Sequence, residues 1–517
     1  AQPLSIAVKN KEIIWIGSHK KAKRIQGKHI DFGNKAILPG FIDAHGHASY
    51  LAFATQVANI ASPPVGNINN IKELQAELKK FINDSKLKPG EWVMGLGYDD
   101  SLLAEQRHPT KDDLDEVSTE HPIYLIHVSA HLGAANSLAL SLANISSETQ
   151  DPPGGKIRRY EHSSEPNGVF EETAAYPLQQ LAMSAYKDPI GSVKKAMSIY
   201  ARNGITTAQD GASSPESISL MKAADAQGMI NLDIISYPIG QNGLDKNLDS
   251  INFGNYQGRL KIGGIKLILD GSPQGKTAYL TEPYYKPPHS ESDSYRGYPL
   301  IPQLEVSKWV KKYADLNIPI MAHANGDAAA DMLIKAVKDA DITSDHRTIM
   351  IHAQTVREDQ LDQMKELRII PSYFSTHTFY WGDWHRDSVF GKNRAMRISP
   401  TKSSLNRKMP FTVHNDAPVV PPDMIRLLWS TTNRKTRSGE VLGEEQKIST
   451  YSALEAITIN AAYQHFEDDI KGSIEVGKLA DLVVLSEDPL SISSDQLLTL
   501  KVIATYSHGK EIFKNEK

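Results

Sequence analysis

Short apolar runs recur along the chain at a spacing that suits buried strands. They are "AILPGFIDAH" (36–45), "GITTAQD" (204–210), "NLDIISYP" (231–238) and "GGIKLILD" (263–270), then "IPIMAHA" (318–324), "RTIMIHA" (347–353), "RIIPSYF" (368–374) and "PFTVHND" (410–416). Between most of them lie stretches such as "LEVSKWVKKYADLN" and "DAAADMLIKAVKDA", whose apolar residues fall near i, i+3, i+4 and i+7, the period of a half-buried helix. Eight strands alternating with helices predict an α/β fold built on a closed (β/α)8 barrel, with an open, doubly wound sheet as the competing arrangement.

The spacing has one conspicuous gap. The first run ends near residue 47 and the second begins near 204, far more chain than one barrel helix needs. The interval carries its own strand patterns, "EWVMGLGYDD" and "HPIYLIHVS", and a helical one, "IKELQAELKKFIND", which predicts an inserted α/β domain over 61–189. "LSIAVKNKEIIWIG" near the start alternates like half-exposed antiparallel strands, and so do "GKLADLVVLSEDP" and "KVIATYSHGKEIF" near the end. Residues 1–36 and 470–517 are therefore expected to meet in one small β-domain, leaving 37–60 and 190–469 to the barrel. No internal repeat or low-complexity tract interrupts this order.

Composition narrows the partners. Lys plus Arg (57) nearly balance Asp plus Glu (61), a formal charge of -4, so no global field favours nucleic acid or an anionic membrane, and a small-molecule substrate is expected. Cysteine is absent, which excludes disulfides, thiolate ligands and a cysteine nucleophile, and leaves His, Asp, Glu and Lys for metal or acid–base chemistry. No apolar stretch approaches the ~20 residues of a membrane helix. "AQPLSIAVKNKEIIWIGS" opens abruptly in strand-like alternation. The expected compartment is the cytoplasm, or the periplasm if a signal peptide preceded Ala1. For assembly, a homodimer is the base-rate expectation.

Active sites of such barrels sit at the C-terminal ends of the strands, and the polar residues gather there. His45 and His47 end the first run, His323 the fifth, His352 the sixth and Asp416 the eighth, while Lys266 lies inside the apolar fourth. On an extended strand, residues i and i+2 share a face, so His45 and His47 are expected to project together. Singly, each has an ordinary reading: packing for a histidine, a turn cap for Asp416, and snorkelling or a pair with Asp270 for Lys266. Jointly, four histidines, a lysine and an aspartate at separate strand positions point to a divalent metal site. Imidazole with carboxylate suits zinc, with one or two ions left open. A lysine buried beside cations makes sense if its amine is carboxylated into an anionic ligand able to bridge two metals. Asp416 then suits the work of general base and acid.

The motifs "PGFIDAHGH", "GITTAQDG", "KLILDGSPQGKTA", "HANGDAA", "IHAQ", "NDAPV" and "GSIEVGKLADLVVL" resemble, in order, those of the amidohydrolase superfamily, most closely amidohydrolase family 3, the YtcJ-like proteins. "GLGYDDSLLAEQRHPTKDDLD", "HLGAANSLAL" and "PNGVFEE" strengthen the match to that subgroup, which is similar to the N-substituted formamide deformylases. The resemblance implies a TIM-like metallo-hydrolase barrel with an inserted α/β domain and a β-sandwich formed from both termini. It matches His45, His47, His323 and His352 to metal-binding histidines, Lys266 to the lysine that can be carboxylated, and Asp416 to the catalytic aspartate. It makes hydrolysis of a C–N bond in an amide, formamide or cyclic amide the leading reaction. An ester or lactone hydrolase, or a non-catalytic regulatory relative, are the alternatives. Two departures stand beside the ligands: Ile351 where glutamate is common, and "VHND" in place of Gly-Ser before the aspartate. Tyr98, Asp99, His131 and Asn136 in the insertion, with His377, Trp381 and His385 after the seventh run, are the expected substrate-facing residues.

Overall fold

The structure, a computed structural model, describes residues 4–183, 187–240, 251–288 and 291–515. The first three and last two residues of the expected terminal domain lie outside that set, as do 184–186 of the insertion and 241–250 and 289–290 of the barrel range.

Each of the eight apolar runs forms a strand, in two five-stranded sheets. One sheet carries Ile265–Ile268, Ile320–Ala324, Ile349–His352, Ile370–Tyr373 and Thr412–Val413, side by side and all parallel. The other places Phe41–Ile42, Ile205–Ser213 and Asp233–Pro238 in parallel order, followed by Leu260–Ile262 and the short Tyr256–Gln257. A parallel bridge between Ile239 and Lys266 joins the two sheets on one side. On the other, Asp416 N–H donates to His45 O (3.2 Å) and His47 N–H to Ala417 O (2.8 Å). The helices Gln303–Asp315 and Asp327–Ala340 lay Val306, Val310, Tyr313, Leu333 and Val337 against Ile320, Ala322 and Leu267 in the largest apolar cluster.

The first run departs from its expected single strand. Ala36–Pro39 pairs antiparallel with Leu482–Leu485, in a four-stranded sheet completed by Val502–Ser507 and Lys510–Lys514, and only Phe41–Ile42 joins the parallel strands. The chain changes sheets at Gly40, whose N–H bonds Asp481 O while Phe41 N–H bonds Gly204 O. Glycine is required at the crossing because a Cβ there would sit 2.4 Å from the Thr206 side chain. The hairpin Leu4–Lys9 and Glu12–Ser18 leans on the same tail through the Glu12–Leu479 bridge. The interval between the first two parallel strands forms its own six-stranded sheet, in the order Ala58–Asn59, Val93–Tyr98, Ile123–His127, Leu132–Ala135, Pro166–Glu172 and Gly155–Arg159.

Where the tail meets the parallel strands, charge is buried alongside the apolar Val483 and Leu485. Lys471 Nζ donates to Asp233 Oδ2 (2.6 Å) and Tyr256 OH (3.0 Å) and pairs with Glu467 (3.0 Å), which also takes Lys261 (2.6 Å). Burial alone would raise the Asp233 carboxyl, but Lys471 and His508 outweigh it and hold it well below the usual range. Removing one partner of such a group strands the others: Lys471→Met is expected to cost about 3–5 kcal/mol, read as a lower urea midpoint. A depressed carboxyl contributes stability that is present above its unfolded pKa and lost as pH falls through the folded one. The difference between the two proteins therefore narrows only below about pH 4.

Candidate metal centre

The five residues picked from strand ends and Lys266 come together. Lys266 and His323 lie within their strands, His352 closes Ile349–His352, and Asp416 lies three residues beyond Thr412–Val413. His45 and His47 do not sit on an extended strand: the strand Phe41–Ile42 ends before them, His47 keeps only an isolated antiparallel bridge to Asp210, and it is already the cap of the helix Ala48–Ala54. Their rings still meet, with centres 5.0 Å apart, because the turn is pinned to residues 416–417. His323 and His352 meet edge to face with ring centres 4.5 Å apart, and His45 lies 5.6 Å from His352.

Hydrogen bonds fix how these rings present themselves. His45 Nδ1–H donates to Gln209 Oε1 (2.5 Å), His47 Nδ1–H to Gly211 O, and His323 Nδ1–H to Asp270 Oδ1 (3.1 Å), tautomers assigned from those acceptors. His45 and His47 then turn an unprotonated Nε2 toward Asp416, the form in which imidazole binds a metal, while His323 Nε2 lies 3.3 Å from Asn325 Nδ2. Burial first, then the neighbouring Lys266 and imidazoles, hold His45, His323 and His352 well below the ordinary histidine range, so they stay neutral. Asp416 Oδ1 lies 3.0 Å from His47 Nε2 and 3.3 Å from His45 Nε2, and Oδ2 lies 3.8 Å from His352 Nε2. Yet buried Oδ1 has no hydrogen-bond partner among the described residues. Lone pairs crowded together without a proton to share repel one another. A cation among them removes the conflict, so the donor set fits a metal ion. Lys266 Nζ, 3.4 Å from His45 Nε2, makes no pair with Asp270, which instead accepts the N–H groups of Asn325, Gly326 and Tyr279. Burial pushes the Lys266 ammonium down to about 7 against the opposing pull of Asp416.

Two of the six carry backbone strain. His352 has φ +71° and Asp416 φ +57°, left-handed values that cost a non-glycine residue roughly 1–3 kcal/mol and persist only where surrounding contacts enforce them. The enforcing contacts include His414, which the sequence reading did not select. Its Nε2 meets His352 Nδ1 at 3.2 Å and its Nδ1 meets Ser372 Oγ at 2.9 Å, so it orients His352 as Gln209 orients His45. The "VHND" departure therefore supplies an orienting imidazole. Ile351 simply packs with Ile235, Tyr237 and Met321.

The amidohydrolase family profile matches residues 28–513. The chain belongs to the amidohydrolase family. This amidohydrolase is 28% identical over 499 residues to N-substituted formamide deformylase of Arthrobacter pascens, covering 93% of this chain and 89% of that protein. It is 24% identical to the putative amidohydrolase YtcJ of Bacillus subtilis strain 168, over 99% and 96% of the two chains. The same fold occurs in an uncharacterized metal-dependent hydrolase from Pyrococcus horikoshii OT3, with a TM-score of 0.74 at 23% identity and 95% of each chain covered.

The expected substrate-facing residues of the amidohydrolase separate into two groups. His131 stands beside the centre, its ring 5.1 Å from that of His323. His377 and Trp381 build an aromatic wall with Phe374, which lies 4.4 Å from His377, 6.1 Å from Trp381 and 5.9 Å from His352. His385 stands behind that wall, hydrogen-bonded to His377 (2.9 Å). Asp99 accepts from Trp381 Nε1 (2.6 Å) in a recess between insertion and barrel lined also by Val128, Val419 and Arg437. Asn136 and Tyr98 are corrections. Asn136 is fully buried and spent on backbone: Oδ1 accepts from Ile123 and Ala139, and Nδ2 donates to the carbonyls of Ser118 and His121, so it caps the helix Ser137–Leu142. Tyr98 is enclosed in the insertion with its hydroxyl on His108 Nδ1 (3.1 Å). Among the described residues no helix is long and apolar enough to cross a membrane.

Proposed function

We propose that this chain is a metal-dependent hydrolase that cleaves the C–N bond of a small amide, formamide or cyclic amide, its two parallel sheets acting as arcs of one (β/α)8 barrel. The observation that carries this reading is the convergence of bare Nε2 atoms on the unpartnered Oδ1 of Asp416, with Lys266 buried beside them. His45, His47, His323, His352 and Asp416 would hold zinc, one ion or two. Lys266, carboxylated on its amine, would supply the bridging oxygens. The metal supplies a lowered pKa for water and polarisation of the substrate carbonyl. The chain's own residues do the rest. Asp416 takes the proton released as water attacks the carbonyl carbon, then returns it to the leaving nitrogen, so that a carboxylic acid and an amine depart. The wall of Phe374, His377 and Trp381 suits an apolar or aromatic substituent on the substrate, and the formamide substrate of the named relative supports the amide class.

The test is a panel of N-substituted formamides, secondary amides and cyclic amides, with matched esters, offered to zinc-loaded protein. Turnover of at least one amide class is expected, lost on dialysis against a chelator and restored by zinc. Cleavage of esters alone, or turnover indifferent to the chelator, would remove this reading.

A further inference from the structure

The inserted sheet reaches the barrel's centre through two residues that its register brings side by side. Leu132 pairs with Glu171 across antiparallel strands, so the residues just beyond that pair, His131 and Glu172, meet at the end of the ladder. Glu172 N–H donates to His131 O (2.7 Å), and His131 Nδ1–H donates to Glu172 Oε2 (2.7 Å). Holding the carboxylate there is costly. Glu172 has φ +50° and ψ −125°, values that favour glycine, it is 2% exposed, and its Oε1 has no hydrogen-bond partner among the described residues. The barrel makes room for it: at Gly271, directly after Asp270, a Cβ would sit 2.2 Å from Glu172 Oε1. A strained backbone and an unsatisfied buried oxygen are not what a residue filling space requires. They are what remains when a carboxylate is kept for one partner. That partner has one atom left to offer, since His131 Nε2 makes no hydrogen bond among the described residues while the ring stays partly open beside His323.

The geometry points to Glu172 as the positioning residue of His131, and to His131 Nε2 as the insertion's contact with the reacting group of the substrate, an assignment that rests on the hydrolase reading above. Glu172 fixes the tautomer and plane of the ring, as Gln209 and Asp270 do for rings contributed by the barrel itself, so the inserted segment is part of the reaction site as well as its cover.

A double-mutant cycle on kcat/KM tests the assignment, with metal content and urea midpoint measured on every preparation. His131→Ala is expected to lower kcat/KM about 100-fold, mostly in kcat, and Glu172→Ala about 10- to 100-fold. Glu172→Gln, which still accepts from Nδ1–H, is expected to stay within about 5-fold of the native protein. In the His131→Ala background, Glu172→Ala is expected to add nothing. The assignment is overturned if the two losses multiply, if Gln is as damaging as Ala, or if His131→Ala retains native kcat/KM. Should Glu172→Ala fail to fold, Glu172→Gln and His131→Ala decide the matter. If the native protein itself cleaves no amide, it is the hydrolase reading that fails; native activity with an unaffected His131→Ala sinks this assignment alone.

Discussion

Asp416→Asn is expected to lower kcat by about three orders of magnitude, within the usual range for removing a general acid–base group. The substitution keeps the size of the side chain and one oxygen, so the loops pinned by Asp416 N–H and His45 O can stay as they are. What it removes is the capacity to take a proton and give it back. Asn keeps one neutral oxygen as a ligand and leaves His45, His47, Lys266, His323 and His352 unchanged, so an ion can still be held while the proton carrier is gone. Metal content by plasma mass spectrometry on the same preparation distinguishes a lost proton carrier from a lost ion. Metal retained with turnover gone is the expected pair of results. Native turnover in the variant would show that the proton travels by another group, of which Asp43 is the first to examine: it is fully buried, burial and Asp416 raise its carboxyl to about 7, and its Oδ2 has no partner among the described residues.

Why Asp416 could be found without coordinates, and Glu172 could not, is a matter of what kind of information each carries. The parallel strands are short apolar runs in a chain of nearly balanced charge, so a buried lysine or a strand-end histidine stands out against them. Strand ends were harder to read. The polar residues 43–47 and 414–416 continue the runs in the sequence but leave the ladder to form turns, and the backbone then takes left-handed values at His352 and Asp416. The split at Gly40 depends on Thr206, distant in sequence. His414 does carry a signal in the sequence, since it stands two residues before Asp416 just as His45 stands two before His47. Asn136 also had one, in that Asn directly before "SLALSL" is a helix N-cap before it is anything else. Glu172 had none. Its partner lies 41 residues away on a neighbouring strand, and only the register of that pair discloses it.

Lys266→Ala is expected to reduce bound zinc from near two equivalents to one or fewer and to lower activity at least as far as Asp416→Asn does. The ligand atoms of His45, His47 and Asp416 lie within 4.8 Å of one another and can hold an ion unaided. His323 and His352, with ring centres 4.5 Å apart, add only two imidazoles, too few for a second tight zinc site unless the lysine contributes. A plain ammonium would repel both ions. Reaction of the neutral amine with carbon dioxide gives a carbamate and a proton, replacing one positive charge by one negative, and burial that brings the ammonium down to about 7 makes the neutral amine available at ordinary pH. Reconstitution therefore divides the alternatives. If Lys266 acts as a carbamate, apoprotein reloaded with zinc in bicarbonate recovers two equivalents, and in buffer stripped of carbon dioxide it recovers about one, whereas Lys266→Ala holds the same lower amount in both. Two equivalents in the alanine variant would leave Lys266 without a ligand role. Full recovery of the native protein without carbon dioxide would keep the lysine as an amine and require a different bridge between the ions.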